Sequence, residues 1–271
     1  MLLTAAIMIQ AQAAVFAPPL GVPIRVVTER TQGDAGKSRT VRIERLVRFA
    51  RDGEGYRAEV ILLDADTEAQ DGANAMLQAG FAGLAGRTMA FRLDGAGKVI
   101  LVEDRQALWD LFCASVLKAV LAKRDRGTRA EQAALAERMA GPLRALPPER
   151  QQAMLASLVT ALISQDAGDP PGTRAVRLPG ASPFGGTVML TGTQTVSTAG
   201  IATHRTTRAA AEVPGGRIAL EIDRDTDPRT GLIASTGETL RTTIGAGAEA
   251  RHSERVSTVR VTIDPDRAWP N

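Results

Sequence analysis

Apolar residues change their spacing twice along this chain, and the spacing predicts strands, then helices, then strands again. Ile24 to Thr31 alternates apolar and polar positions, and Val41, Ile43, Val47 and Phe49 share one face of the next stretch. A period of two marks a half-buried strand. Tyr56 to Leu63 is apolar on both faces at its end, as for a strand inside a sheet. Gly33-Asp34-Ala35-Gly36 and Asp52-Gly53-Glu54-Gly55 supply turn chemistry between these stretches, which predicts an antiparallel meander.

The middle of the chain reads as helical. Asp71 to Leu84 predicts a short helix despite its glycines. Met89, Phe91 and Leu93 then alternate, Asp94-Gly95-Ala96-Gly97 turns, and Lys98 to Val102 returns as a hairpin. Asp104 is placed to cap a helix whose broad apolar face carries Leu108, Leu111, Phe112, Val116 and Val120. Thr128-Arg129-Ala130-Glu131 has capping-box spacing for a second helix. Pro147-Pro148-Glu149 starts a third, striped by Met154, Leu155, Leu158, Val159, Leu162 and Ile163.

Residues 165–186 carry Pro170, Pro171, Pro179 and Pro183 among glycines and predict a linker or long loop. Strand patterns resume in Thr187 to Val196, Ile201 to Ala209, Arg217 to Ile222, Leu232 to Ser235, Thr239 to Ile244 and Arg255 to Ile263. The predicted class is α+β: two antiparallel β-rich halves joined by a helical middle segment. The predicted segments are a signal peptide (1–13), an N-terminal β-rich half (14–103), a helical connector (104–164), a linker (165–186) and a C-terminal β-rich half (187–271). Leu93-Asp94 before Gly97-Lys98-Val99-Ile100, and Ile222-Asp223 before Gly231-Leu232-Ile233, form a faint echo that hints at duplication.

The signal peptide rests on an apolar run from Leu2 to Ile9 followed by Ala11-Gln12-Ala13, the small-x-small pattern of a cleavage site before Ala14. No Lys or Arg precedes the run, which departs from the usual pattern. At well under the roughly 20 residues a bilayer span needs, the run predicts no transmembrane segment in the mature form. The expected location is periplasmic or secreted. With 271 residues, 44% hydrophobic and 23% charged, the remainder suits an ordinary globular core, although only 3% of residues are aromatic. Net charge is +3, and Arg42, Arg45, Arg48, Arg51 and Arg57 alternate with apolar residues. That arrangement predicts a solvated strand face and not the basic, aromatic-rich stripe of a nucleic-acid binder.

Candidate chemistry is sparse, and no cofactor or metal is predicted. Cys113, the single cysteine, lies among Leu111, Phe112 and Val116 and reads as a buried, inert thiol. Asp223-Arg224-Asp225-Thr226-Asp227 begins like a calcium loop, but Pro228 and Ala234 stand where Gly and Glu are required, so a polar hairpin turn is expected. Asp64, Asp66 and Glu68 read as a solvated strand end. His204 and His252 have no second His or Cys at zinc spacing. Gly180-Ala181-Ser182-Pro183-Phe184-Gly185 has the wrong spacing for a nucleophile elbow.

Ser115-x-x-Lys118, flanked by Leu111-Phe112 and Ala119-Val120-Leu121, resembles the serine segment of penicillin-recognising enzymes, and Arg229-Thr230-Gly231 imitates their Lys-Thr-Gly strand. That resemblance implies a serine hydrolase with Ser115 as nucleophile activated by Lys118. Against it, no Ser-Asp-Asn motif is present, and Ser115 to Arg229 is a short interval for that fold. Leu84-Ala85-Gly86-Arg87-Thr88-Met89-Ala90-Phe91-Arg92-Leu93-Asp94 with Gly97-Lys98-Val99-Ile100 is similar to a pattern in exported two-lobed β-rich bacterial proteins of unassigned function. In layout the chain also resembles periplasmic lipoprotein carriers, whose curved sheet shelters acyl chains beneath helices. These resemblances imply a non-enzymatic periplasmic or envelope-associated protein. Its expected partner is an apolar or lipid-like ligand or an envelope protein, and the helices 108–123 and 154–163 would cover an apolar sheet face. The serine hydrolase is the alternative.

Overall fold

Hairpin turns dominate the connectivity because glycines stand where the chain must adopt positive φ. Gly53 (φ 57°) closes the first described hairpin and Gly97 (φ 82°) the short one that follows the first helix. The computed structural model describes residues 16–34, 37–67, 73–122, 129–165, 168–181, 186–245 and 250–270. The predicted leader, its cleavage site at Ala13 and Ala14, and the proposed cap Thr128 lie outside those residues.

The elements run β1 (Ile24–Asp34), β2 (Lys37–Asp52), β3 (Gly55–Thr67), α1 (Ala73–Ala82), β4 (Thr88–Leu93) and β5 (Val99–Val102). Three helices follow: α2 (Arg105–Ala122), α3 (Arg129–Arg144) and α4 (Pro148–Thr160). The chain then returns to strands: β6 (Gly172–Ala181), β7 (Thr187–Ala199), β8 (Ala202–Val213), β9 (Gly216–Asp227), β10 (Leu232–Ile244) and β11 (Arg251–Ile263). No helix among the described residues is long and apolar enough to cross a membrane.

All these strands join one sheet in the order β5-β4-β3-β2-β1-β11-β10-β9-β8-β7-β6. The last strand returns to pair antiparallel with the first, with Val26 opposite Val261 and Thr28 opposite Val259. The two β-rich halves expected from sequence therefore run edge to edge in a single sheet. Alternation identifies a strand but not its partner, so the seam between β1 and β11 is visible only in the fold.

Three further expectations change. β6 occupies part of the stretch predicted as a linker, and its Pro179 is tolerated because β6 is an edge strand paired only with β7. Leu232 to Ser235 and Thr239 to Ile244 belong to one strand, β10, interrupted by an irregularity between Ile233 and Ser235. Asp223 to Asp227 ends β9 and is not a turn, so Asp223 lies inside a strand whereas Asp94 follows one.

Every second residue of a strand faces the same way, which separates an inner from an outer face. Inner positions at the β1 end are Ile24, Val26, Val47, Phe49, Ala58 and Val60, all fully buried. Trp109, Phe112 and Val116 of α2 and Leu155, Leu158 and Val159 of α4 join them in one buried core. The scarce aromatic residues concentrate here: Trp109 stacks on Phe112 at 5.0 Å and Phe81 meets Phe112 edge-on at 5.2 Å. Each buried Leu or Phe contributes about 1.5–3 kcal/mol. The outer face carries registered ion pairs such as Glu29 with Arg42, Arg48 with Glu59 and Arg241 with Glu254. At roughly 0–1 kcal/mol apiece, they specify register more than they stabilise. The second, smaller cluster around Leu190, Ala209 and Ile218 forms without helical cover.

Candidate functional site

Helix α1 packs on β3, and α4 packs on β3 and β5 and reaches β2 through Arg45, leaving a gap beside Thr28, Arg30, Val41 and Ile43. A cavity of about 500 Å³ opens in that gap. Its floor comes from two adjacent strands in register, with Thr28 opposite Ile43 and Arg30 opposite Val41. Its roof comes from α1, through Leu77, Gln78 and Phe81, and from α4, through Arg150, Ala153, Met154 and Ser157. The α4 positions follow the 0, 3, 4, 7 spacing that defines one helix face. Leu155, Leu158 and Val159 point instead into the core, so one helix serves both surfaces.

Two polar networks hold the roof in place. Arg45, on the inner face of β2, is 3% exposed; its Nε donates to the carbonyl of Leu158 at 2.9 Å and its Nη1 to Thr28 Oγ1 at 3.1 Å. Burial pushes its pKa down to about 10, so the guanidinium stays charged at neutral pH. The sequence placed Arg45 with Arg42 and Arg48 on a solvated face. The structure corrects that, because Arg45 falls at an odd position of β2, in line with Ile43 and Val47. At the other end, Arg105 Nη1 donates to Gln151 Oε1 at 2.5 Å, and Gln151 Nε2 donates to the carbonyl of Leu146 at 2.8 Å. This fixes the turn into α4 beside the cavity wall. Gln78 is 8% exposed, and its Oε1 is buried with no hydrogen-bond partner.

The other sequence candidates fall elsewhere. Ser115 and Lys118 lie on α2, Ser115 half-buried and Lys118 exposed. Ser115 Oγ packs at the seam with α1, where a β-carbon on Gly83 would overlap it. Neither residue lines the cavity. Arg229 lies in the turn before β10, donating to Asp227. Cys113 is 2% exposed, and burial pushes its thiol pKa up, in keeping with an inert thiol. Asp64 and Asp66 fall within β3, and Glu68 lies outside the described residues.

On the outer face of β8 and β9 a polar cluster escaped the sequence reading. His204 Nδ1 lies 2.8 Å from Asp225 Oδ1, Ser235 Oγ donates to Asp225 Oδ2 at 2.7 Å, and Thr206 Oγ1 donates to Asp223 Oδ1 at 2.6 Å. Thr206 Oγ1 is also 3.1 Å from His204 Nε2, but its proton is committed to Asp223. Register alone assembles the group, with His204 opposite Asp225 and Thr206 opposite Asp223. Among the described residues His252 meets only Thr243 Oγ1, at 3.2 Å. No group of three or more metal-ligating side chains occurs among the described residues.

The molecule so defined is an open antiparallel sheet with helices flanking a partly open, mainly apolar cavity on its inner face. No family model matches the chain. No curated protein matches it either. Among solved structures it is similar to lipovitellin, from a study of lipid–protein interactions, at 7% identity and a TM-score of 0.42 over 93% of this chain. The chain spans 26% of that protein's length.

Proposed function

We propose that this is a non-enzymatic binding protein of the bacterial envelope that shelters an apolar chain between its helices and its sheet. The observation carrying this reading is the cavity, whose volume of about 500 Å³ falls in the range of small-molecule sites. Its walls are mainly aliphatic and aromatic, from Val41, Ile43, Leu77, Phe81, Leu146 and Met154. Water against walls of this kind is held weakly, so its replacement by an apolar group is favourable.

The test uses the neutral apolar dye N-phenyl-1-naphthylamine with the full chain. Saturable fluorescence enhancement is expected, and Ala153→Trp, which projects an indole from α4 into the gap, should abolish it. No saturable enhancement, or enhancement indifferent to Ala153→Trp in a folded variant, would sink the reading. Export belongs to the same proposal and is supported by the apolar run and the Ala11-Gln12-Ala13 pattern. Expressed in a Gram-negative host, the protein should yield a periplasmic species whose mass begins at Ala14. An uncleaved cytoplasmic product would overturn the placement.

A further inference from the structure

We infer that the cavity takes an amphiphile with an anionic head, its carboxylate or phosphate held by Arg30 and its alkyl chain among Leu77, Phe81 and Met154. The inference deepens the reading above and rests on it.

Among the described residues, the two ionisable ones lining the cavity, Arg30 and Arg150, are both cationic. Arg150 is exposed at the rim, near the start of α4. Arg30 is half-buried on the inner face of β1. Among the described residues it forms no ion pair. Its ionised neighbours compensate it only in part. Arg255 on β11 is a second guanidinium, and Glu238 on β10, the nearby carboxylate, is engaged by Arg255 Nη2 at 3.1 Å. Arg255 Nε is itself buried without a hydrogen-bond partner. Burial first, and Arg255 second, hold the Arg30 pKa below its ordinary value.

A guanidinium beside apolar walls and a second cation gains most from a bidentate anion, which matches its planar fork and offsets both burial and repulsion. Gln78, lining the same cavity with a buried, unsatisfied amide oxygen, adds to this. Turned over about its last torsion, the carboxamide presents two N–H donors where its oxygen stood. The cavity therefore combines apolar walls with cationic and amide donors. That combination fits a chain with an anionic end better than a hydrocarbon, and better than a free anion that would leave the walls unfilled.

The experiment is displacement of bound N-phenyl-1-naphthylamine from the full chain by four probes: hexadecyl phosphate, hexadecanol, hexadecyltrimethylammonium and inorganic phosphate. Hexadecyl phosphate should displace the dye at about ten-fold lower concentration than hexadecanol, the size of one charge-assisted contact. The ammonium should be weaker than the alcohol, and inorganic phosphate should not displace. Arg30→Gln should bring the phosphate-to-alcohol ratio within about two-fold, and Arg30→Lys should keep part of it. Arg241→Gln, on the outer face of β10, should leave the ratio as it was. Equal displacement by phosphate and alcohol, or tighter binding of the ammonium, would overturn the inference from the wild-type protein alone. So would displacement by inorganic phosphate, which would mark a free-anion site, or a ratio that survives Arg30→Gln. Dye that never binds defeats the cavity reading itself, so the two failures are distinguishable.

Discussion

Gly80 and Gly83 decide how closely α1 approaches α2. A β-carbon at Gly80 would overlap the ring of Phe112, which cannot swing away because Trp109 stacks on it and Phe81 meets its edge. Gly80→Ala gains about 1 kcal/mol of helix propensity but overpacks a filled site at a cost of about 1–3 kcal/mol. The urea midpoint should therefore fall; an unchanged or raised midpoint would show that the seam can relax. Charged residues make a second point at this scale. Glu44 accepts two hydrogen bonds from Arg25, at 2.7 and 2.8 Å, and its pKa is held below the ordinary carboxylate value. Asp225 is lowered likewise by Ser235 and then by His204. A depressed carboxylate pKa adds stability that is full above the unfolded value, near pH 4, and is lost as pH falls through the folded one. Stability measured from neutral pH down to pH 3 should thus fall less steeply in Glu44→Gln than in wild type. A parallel decline would assign the acid sensitivity elsewhere.

At the scale of elements, α4 is the part most exposed to a single contact. Its apolar stripe was legible as helical, and Pro147 and Pro148 mark its start as the sequence suggested. The stripe did not reveal that one side of α4 roofs a cavity while the other fills the core. Nor did it reveal that Arg45 ties the end of α4 to β2. Beyond the helix, Ile233 N–H donates to the carbonyl of Leu162 at 2.8 Å and Ser164 N–H to that of Gly231 at 2.9 Å, so the same segment is stitched to β10. Arg45→Met removes the bond to Leu158 but also relieves a buried charge, so global stability should change little. Hydrogen exchange across Leu158 to Ile163 should rise instead. Unaltered protection there would show that packing alone fixes the helix. β6 was missed because Pro179 and its glycines outweigh the Val176 and Leu178 alternation, and only pairing with β7 makes it a strand.

Across the whole molecule, a single sheet carries two unequal loads. From β1 to β5 its inner face is buried by helices, whereas β6 to β9 rest on the small cluster of Leu190, Ala209 and Ile218. Local opening free energy follows buried apolar contact. Amide exchange should therefore be slowest in β2 and β3 and progressively faster towards β6. Equal protection in both regions would indicate that the second half is covered by something else in solution, such as a bound partner. The same asymmetry explains why the cavity lies where it does. Only the helical half has a second layer from which a gap can be enclosed.

Periodicity along the chain determined nearly every element: the alternating β stretches, the 89–102 hairpin and the apolar helices. Local hydrophobic spacing and turn residues are enough for that, because each element must bury one face whatever its neighbours are. The spacing could not decide which strands pair, since alternation is the same for any partner. The return of β11 to β1, and with it the single sheet, was settled by tertiary pairing. The candidate site was almost wholly of this second kind. Thr28, Arg30, Gln78 and Arg150 come from three elements distant in sequence, and none belongs to a motif. They acquire a common purpose only because the helices, anchored on β3 and β5, leave space above Thr28 and Arg30 of β1 and Val41 and Ile43 of β2.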